Sequence, residues 1–153
     1  MYKPIKRHQS LQPISREHHQ GLLLSWKIRE GLKRNITPER IKTYTDWFWE
    51  THLKSHFEFE EAYIFPLLGN EHKLIKRALR EHRRLKRLFT AANKVDINLS
   101  SKEEELIAHI RFEERILFKD IEKVASEEQL KIIENEHSKI KAKNWEDEFW
   151  INE

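Results

Sequence analysis

The sequence predicts an all-α fold: an up-down four-helix bundle with an additional C-terminal helix. Only 3 Gly and 4 Pro occur among 153 residues, and 36% of the residues are charged, against about 25% in an average domain. Valine, a residue typical of strands, occurs only twice. These features exclude a β-sandwich or barrel, and the 5 Trp, 3 Tyr and 8 Phe exclude a disordered chain. We expect one domain over residues 1–153, with the bundle core over about 15–125.

Start and stop signals divide the chain into five helices. The pair Thr37-Pro38 combines an N-cap with a proline at the first helical position. Capping boxes at Ser101 and Ser126 predict two further starts, and Gly69-Asn70 predicts a stop. Because the connections are short, successive helices are expected to be antiparallel neighbours. The predicted helices cover approximately residues 15–34, 38–68, 71–94, 101–124 and 127–143.

The absence of Cys excludes disulfides, thiolate metal sites and cysteine nucleophiles. No apolar run approaches the roughly 18 residues of a membrane span, and the N-terminus does not lead into a signal-type apolar segment. The 29 basic and 26 acidic residues leave a net charge of only +3. We therefore expect a cytoplasmic protein without membrane or nucleic-acid partners, and we interpret the basic residues of the third helix as a solvated face.

Nine histidines occur in the chain, and four of them fall on the predicted core-facing sides of four different helices. At about 100° per residue, Glu60 lies roughly 40° from His56 on the same apolar stripe, one turn away. His109 and Glu113 repeat this arrangement. The candidate metal ligands are His18, His56, Glu60, His82, His109 and Glu113.

Buried unpaired carboxylates are costly, and a shared metal site removes that cost. Histidine and carboxylate ligands without sulfur suit iron, manganese or zinc. If both carboxylates bridge, four nitrogens and four oxygens provide four donors for each of two metals, which leaves coordination positions for a small molecule. A ferritin-like site is disfavoured because only Glu134 and His137 match its Glu-x-x-His motif. The competing interpretation is a set of hydrogen-bonded core histidines and exposed His–Glu pairs.

The order of one His, then His-x-x-x-Glu, then one His, then His-x-x-x-Glu resembles the hemerythrin-like, or HHE cation-binding, family over about residues 10–125. The resemblance implies a four-helix bundle with a non-haem di-iron centre. In that centre the four His would be terminal ligands, and Glu60 and Glu113 would bridge. Oxygen-carrying members usually have a further His where Lys86 stands. The ligand set is therefore closer to the branch associated with repair of iron centres.

Further residues are predicted near the site. His52, one turn before His56, is a candidate for a fifth nitrogen ligand, a hydrogen-bond donor or a proton relay. His19, at the edge of the stripe, is a candidate neighbour or substitute ligand. Glu105, in the matching position before His109, is a candidate acceptor for the outer N–H of a bound His. The side chains expected to line the pocket are Trp49, Phe59, Tyr63 and Ile116.

Two C-terminal features receive structural interpretations. His137 shares an apolar stripe with Leu130 and Ile133, and we interpret it as a packing residue. The aromatic tail around Phe149 and Trp150 is expected either to cap the bundle or to form a dimer contact. The sequence leaves both alternatives open, together with the oligomeric state.

The functional expectation is a di-iron protein that binds, senses or handles a small ligand such as O2, NO or peroxide. The cofactor would be two Fe ions, with Mn or Zn as the alternatives. Two other functions stay open: a di-iron oxidoreductase that reduces NO or peroxide, and an iron donor or store for the repair of iron centres. A redox partner is expected for the enzymatic alternative.

Overall fold

The computed structural model describes residues 6–140 and 145–151, and in this part every regular element is helical, which confirms the predicted class. Some turns are π-helical, with one residue more than an α-turn, over Trp49–Leu53, Glu60–Ile64 and Glu113–Leu117. The α-helices are α1 (Gln12–Lys33), α2 (Pro38–Phe48), α3 (Lys54–Phe59), α4 (Lys73–Thr90), α5 (Val95–Phe112), α6 (Phe118–Val124) and α7 (Glu127–His137).

Four helical rods form the bundle, because the π-turns join shorter helices end to end. The rods are α1, α2 with α3, α4, and α5 with α6. Helix α5 packs against α1, α4 and α2, while α7 lies against α1 and the 3-10 turn Gln9–Leu11. The second rod begins at Pro38 and is followed by Gly69 at φ +89°, as the sequence signals predict.

The fourth rod starts earlier than predicted, at Val95 rather than Ser101. Leu99 is buried in the apolar core, and Asp96 lies in the first turn, where its charge complements the helix dipole. These two contributions extend the helix past the capping boxes. At the C-terminal end α7 does start at the Ser126 capping box. It ends at His137, and the predicted end near residue 143 lies outside the described residues.

Two apolar clusters fill the bundle, and a polar layer separates them along each rod. In α1, for example, Ile14 belongs to one cluster and Leu24 to the other, with His18 between them. In α4, Ala78 and Leu85 stand in the same relation to His82. The four histidines of this layer are thus enclosed above and below by apolar side chains, which keep water away from them.

The C-terminal tail caps one end of the bundle, which is one of the two alternatives left open by the sequence. Phe149 is fully buried and Trp150 is 8% exposed, both in the cluster that contains Ile41. Gly31 permits this packing, because a Cβ atom there would lie 2.8 Å from the Phe149 ring and 2.9 Å from Ile41. No helix in the described part of the chain has the length and hydropathy required to cross a membrane.

Candidate metal centre

Six polar side chains from the four rods meet in the layer between the apolar clusters. They are at most 5% exposed: His18, His56, Glu60, His82, His109 and Glu113. The histidines form two pairs of edge-to-face rings, with centroids 4.9 Å apart for His18 and His56 and 4.8 Å apart for His82 and His109. One pair comes from the first two rods and the other from the last two.

Both carboxylates face both histidine pairs. Glu60 Oε2 lies 3.4 Å from Nε2 of both His18 and His56, while its Oε1 lies 3.1 Å from His82 Nε2. In Glu113 the two oxygens exchange roles. Its Oε1 lies 2.8 Å from His18 Nε2, and its Oε2 lies 3.3 Å from His109 Nε2. Each carboxylate therefore directs one oxygen to each histidine pair.

The inner atoms of this layer converge without forming well-aligned hydrogen bonds. The four Nε2 atoms and all four oxygens of Glu60 and Glu113 are buried and lack such a bond within the described residues. They fall into two groups whose ligand atoms lie within 4.8 Å of one another. One group contains His18 and His56, the other contains His82 and His109, and both contain the two carboxylates. Buried polar atoms normally have partners, and a metal ion would supply them here.

The outer nitrogen of each histidine is held by a carboxylate from a neighbouring rod. Because an ionised carboxylate only accepts hydrogen bonds, each Nδ1 carries the proton and donates it, which leaves Nε2 to face the centre. The Nδ1 distances are 2.8 Å for His56 to Glu17, 2.8 Å for His82 to Glu61, 2.7 Å for His109 to Glu81 and 2.7 Å for His18 to Glu114.

These outer contacts form a closed ring. A glutamate of the first rod holds the histidine of the second, and the second rod holds the third in the same way. The third holds the fourth, and the fourth returns to the first. Such outer partners fix the orientation of histidine ligands and increase their basicity.

Electrostatics within the layer favour charged side chains despite their burial. Burial lowers the pKa of His56, but the carboxylates of Glu60 and Glu17 outweigh it and raise the pKa to about 9. Burial likewise opposes the rise in the pKa of His18, which Glu113 and the other carboxylates raise well above its usual value. Burial raises the pKa of Glu113, yet His109 and its neighbours lower it well below the ordinary value. Without metal, the layer is a buried network of ion pairs.

A family comparison agrees with this geometry. The family model of the hemerythrin HHE cation-binding domain matches residues 10–101, more than half of the chain. The chain belongs to the hemerythrin HHE cation-binding domain family. The matched span of this HHE domain ends before His109 and Glu113, and these two residues are placed in the centre by the structure. No curated protein and no solved structure matches the chain.

Two of the four residues expected to line the pocket of the HHE domain are exposed instead. Trp49 and Phe59 are buried, but Tyr63 is 38% exposed and Ile116 is 45% exposed. The cause is the π-turn that begins at each inner glutamate, since its extra residue rotates everything that follows. The inward positions are taken by the next residues, Ile64 and Leu117, which are fully buried.

The three additional ligand or neighbour candidates lie outside the cluster. His52 lies in the π-turn Trp49–Leu53 against the rings of Trp47 and Phe48, 5.0 and 5.1 Å away between centroids. His19 is exposed on α1. Glu105 was predicted as an outer acceptor, but its carboxylate pairs with Arg84 of α4 at 2.6 Å. The outer acceptors are on other helices because the histidine Nδ1 atoms point across the interfaces between rods.

His137, interpreted from the sequence as a packing residue, also contacts Glu17. Its Nε2 lies 3.0 Å from Glu17 Oε1, and its ring meets Phe59 edge-to-face at 5.3 Å. Burial raises the pKa of Glu17, but the close contact with His137 and the hydrogen bond from His56 outweigh burial and bring that pKa to about 2. The His137 side chain thus connects helix α7 to the ring of outer His–Glu contacts. The pattern that could have found the outer acceptors is a Glu next to four of the six candidate ligands: Glu17, Glu61, Glu81 and Glu114.

Proposed function

We propose that this HHE domain is a di-iron protein that binds, senses or handles a small ligand such as O2, NO or peroxide. The observation that carries the proposal is the division of each inner carboxylate between the two histidine pairs. A carboxylate with one oxygen directed to each of two sites is the arrangement of a bridging ligand. The two groups of donors then correspond to two metal ions that share Glu60 and Glu113.

The donor count leaves room for an exogenous ligand. Each ion would receive two imidazole nitrogens and one oxygen from each of two carboxylates, which makes four donors. Iron commonly accepts more, so positions remain for a small molecule. When bound, iron supplies redox chemistry and affinity for diatomic ligands. Nitrogen and oxygen donors also suit Mn and Zn, and the assignment of iron therefore rests on the family resemblance.

The protein's own residues would prepare the site in three ways. The outer glutamates keep the proton on each Nδ1, so that Nε2 is the coordinating atom. The two apolar clusters exclude bulk water from above and below. Burial of Glu60 and Glu113 at 0% exposure makes loss of metal costly, because the two carboxylates would then depend on buried, charged histidines as their partners.

Metal analysis after anaerobic loading with Fe(II) tests the proposal. We expect two ions per chain in the wild type, and loss of at least one in Glu60→Ala because both donor groups use Glu60. The matched control is Glu58→Ala, which removes an exposed carboxylate on the same rod and should retain both ions. One tightly bound ion, with His82 uncoordinated, would contradict the dinuclear centre.

Three measurements on the loaded protein then separate the functions: its ultraviolet–visible spectrum with O2 or NO, the consumption of NO or peroxide, and the transfer of iron. A stable spectrum of a bound O2 or NO adduct supports ligand binding or sensing. Sustained consumption of NO or peroxide with an added reductant instead indicates an oxidoreductase. Transfer of iron to an apo-acceptor protein indicates a donor or store.

A further inference from the structure

A second concave site lies on the surface between α4 and α5. This α4–α5 groove has a cavity volume of about 510 Å³, within the range of roughly 300–1,000 Å³ typical of small-molecule sites. Four arginines of α4 line it, together with Glu81 and Glu105. His109 also lines the groove, so the cavity reaches one histidine of the buried cluster.

The two acidic residues of the groove already have partners. Glu105 accepts hydrogen bonds from Nε and Nη2 of Arg84, at 2.6 and 3.0 Å. Glu81 accepts from His109 Nδ1 at 2.7 Å and from Arg77 Nε at 2.9 Å. Each carboxylate of the groove is therefore already paired with a cation, Glu105 with Arg84 and Glu81 with Arg77.

Three guanidinium groups of the groove are left without an acid. Arg80, Arg83 and Arg87 have no ion pair or hydrogen bond to any of the described residues. Positions 80 and 87 are two helical turns apart, so their Cα atoms are separated by about 10 Å along α4. Arg83 also lines the neighbouring groove, which reaches His82. The result is a row of unpaired cations along one wall of a cavity that leads to the metal centre.

We propose that the α4–α5 groove binds a small, multiply charged anion whose charged groups are phosphates or carboxylates. The guanidinium fork matches both groups, and both leave the same signature here: several unpaired arginines spaced along one wall. A ligand with charged groups at more than one point can engage Arg80 and Arg87 together. Bound in this way, it would lie beside His109 and Glu81, next to the half of the centre formed by His82 and His109.

The shape of the groove favours a small molecule over a macromolecule. The cationic wall belongs to a concavity whose remaining lining includes Leu85 and Ala108, and the small Ala108 side chain leaves space in it. A flat acidic protein surface or a nucleic-acid backbone would contact the exposed lysines of α4, such as Lys73 and Lys76, as readily as the groove. This difference provides a control on the same helix.

Calorimetric titration of the purified full chain tests the proposal, with benzene-1,3,5-tricarboxylate and inorganic tripolyphosphate as separate probes. Metal content is measured before and after each titration, so that extraction of metal is not mistaken for binding. We expect saturable binding of at least one probe, and at least about tenfold weaker binding by Arg80→Gln/Arg87→Gln, because two hydrogen bonds to charged groups are lost. The control Lys73→Gln/Lys76→Gln removes the same charge outside the groove and should weaken binding less than about threefold.

The outcomes are distinct. Preference for tripolyphosphate identifies a phosphate ligand, and preference for the tricarboxylate identifies a carboxylate ligand. Equal weakening by both double variants would show nonspecific attraction and overturn the proposal. So would failure of both probes to bind, or retention of duplex DNA that is equally sensitive to both double variants. Loss of metal in Glu60→Ala with unchanged anion binding would separate this site from the di-iron proposal.

Discussion

The four buried histidines are oriented by carboxylates that sit beside other candidate ligands in the sequence. Glu17 precedes His18 but binds His56, and Glu81 precedes His82 but binds His109. A residue adjacent to a ligand on one rod is therefore directed at the next rod. This exchange explains why the periodicity of a single helix face predicts Glu105 and not the outer acceptors.

Substitution of an outer acceptor should weaken metal binding without removing a ligand. We expect Glu81→Gln to reduce affinity by roughly 10–100-fold, because the amide is a weaker acceptor for His109 Nδ1. Competition with a chelator of known affinity measures the change. Glu105→Gln is the matched control, since Glu105 contacts Arg84 rather than a histidine. Equal effects of both substitutions would mean that general charge, and not the His109 contact, determines the affinity.

Metal binding should depend on pH well above the usual range of histidine titration. Burial lowers the pKa of His56, but Glu60 and Glu17 outweigh burial and raise this pKa to about 9 in the metal-free chain. His56 is therefore protonated on both ring nitrogens below that pH, and metal must displace the proton on Nε2. We expect affinity to decrease as the pH falls from about 10 to 7, with more protons released per ion at pH 7. Titration calorimetry in two buffers of different ionisation enthalpy counts these protons, and a constant count over this range would contradict the raised pKa.

At the level of helices, π-turns set the helical phase of the second and fourth rods. Glu60 and Glu113 each begin such a turn. They lie one α-helical turn after His56 and His109 on the same rods. The extra residue turns Ile64 and Leu117 inward, while Glu61 and Glu114, each the second residue of its π-turn, reach the histidine of the next rod. π-turns are rare and occur frequently at functional sites.

Deletion of Ala62 tests this role, because it removes one residue from the π-turn Glu60–Ile64 at an exposed position. The closed turn keeps Ile64 inward but moves Glu61 away from His82. We expect weaker metal binding and a metal-free melting temperature close to that of the wild type. Ala62→Gly is the control: it retains the π-turn, costs up to about 1 kcal/mol of helix stability and should leave metal affinity unchanged. Unchanged affinity in the deletion variant would show that the π-turn is not needed for binding.

The inward positions of His56, Glu60, His109 and Glu113 could be predicted because they depend only on the period of one helix. Positions after each glutamate could not, since a π-turn has no reliable sequence signature and shifts the period by one residue. Tyr63 and Ile116 are exposed for that reason. The start of α5 was also missed, because burial of Leu99 extends the helix beyond its capping signals. Tertiary packing, rather than local preference, decides these features.

On the scale of the whole molecule, the centre ties four rods together, and metal should stabilise the fold. An ion that binds only the folded chain adds about 2.7 kcal/mol at a hundredfold excess over Kd. Chelation should therefore lower the melting temperature of the wild type, and lower it less in His56→Ala, which has already lost one donor. Differential scanning calorimetry with and without chelator makes the comparison. Identical melting of both proteins under both conditions would assign these side chains to ordinary core packing.

The closed ring of glutamates also gives the molecule an internal two-fold relation. Each half of the chain contributes one Glu-His pair and one His-x-x-x-Glu-Glu motif, beginning at His56 or at His109. Exchanging the halves exchanges the two groups of donors and leaves their chemistry unchanged. Two ions in such a site would each be bound by two histidines and the two shared glutamates, so their protein ligands would be of the same type. The difference between the two ions would come from residues outside the donor set. In the first half, His137 contacts the outer acceptor Glu17, and in the second half the α4–α5 groove is lined by the outer acceptor Glu81. In spectroscopic terms, the surroundings and not the ligands would make the two ions distinguishable.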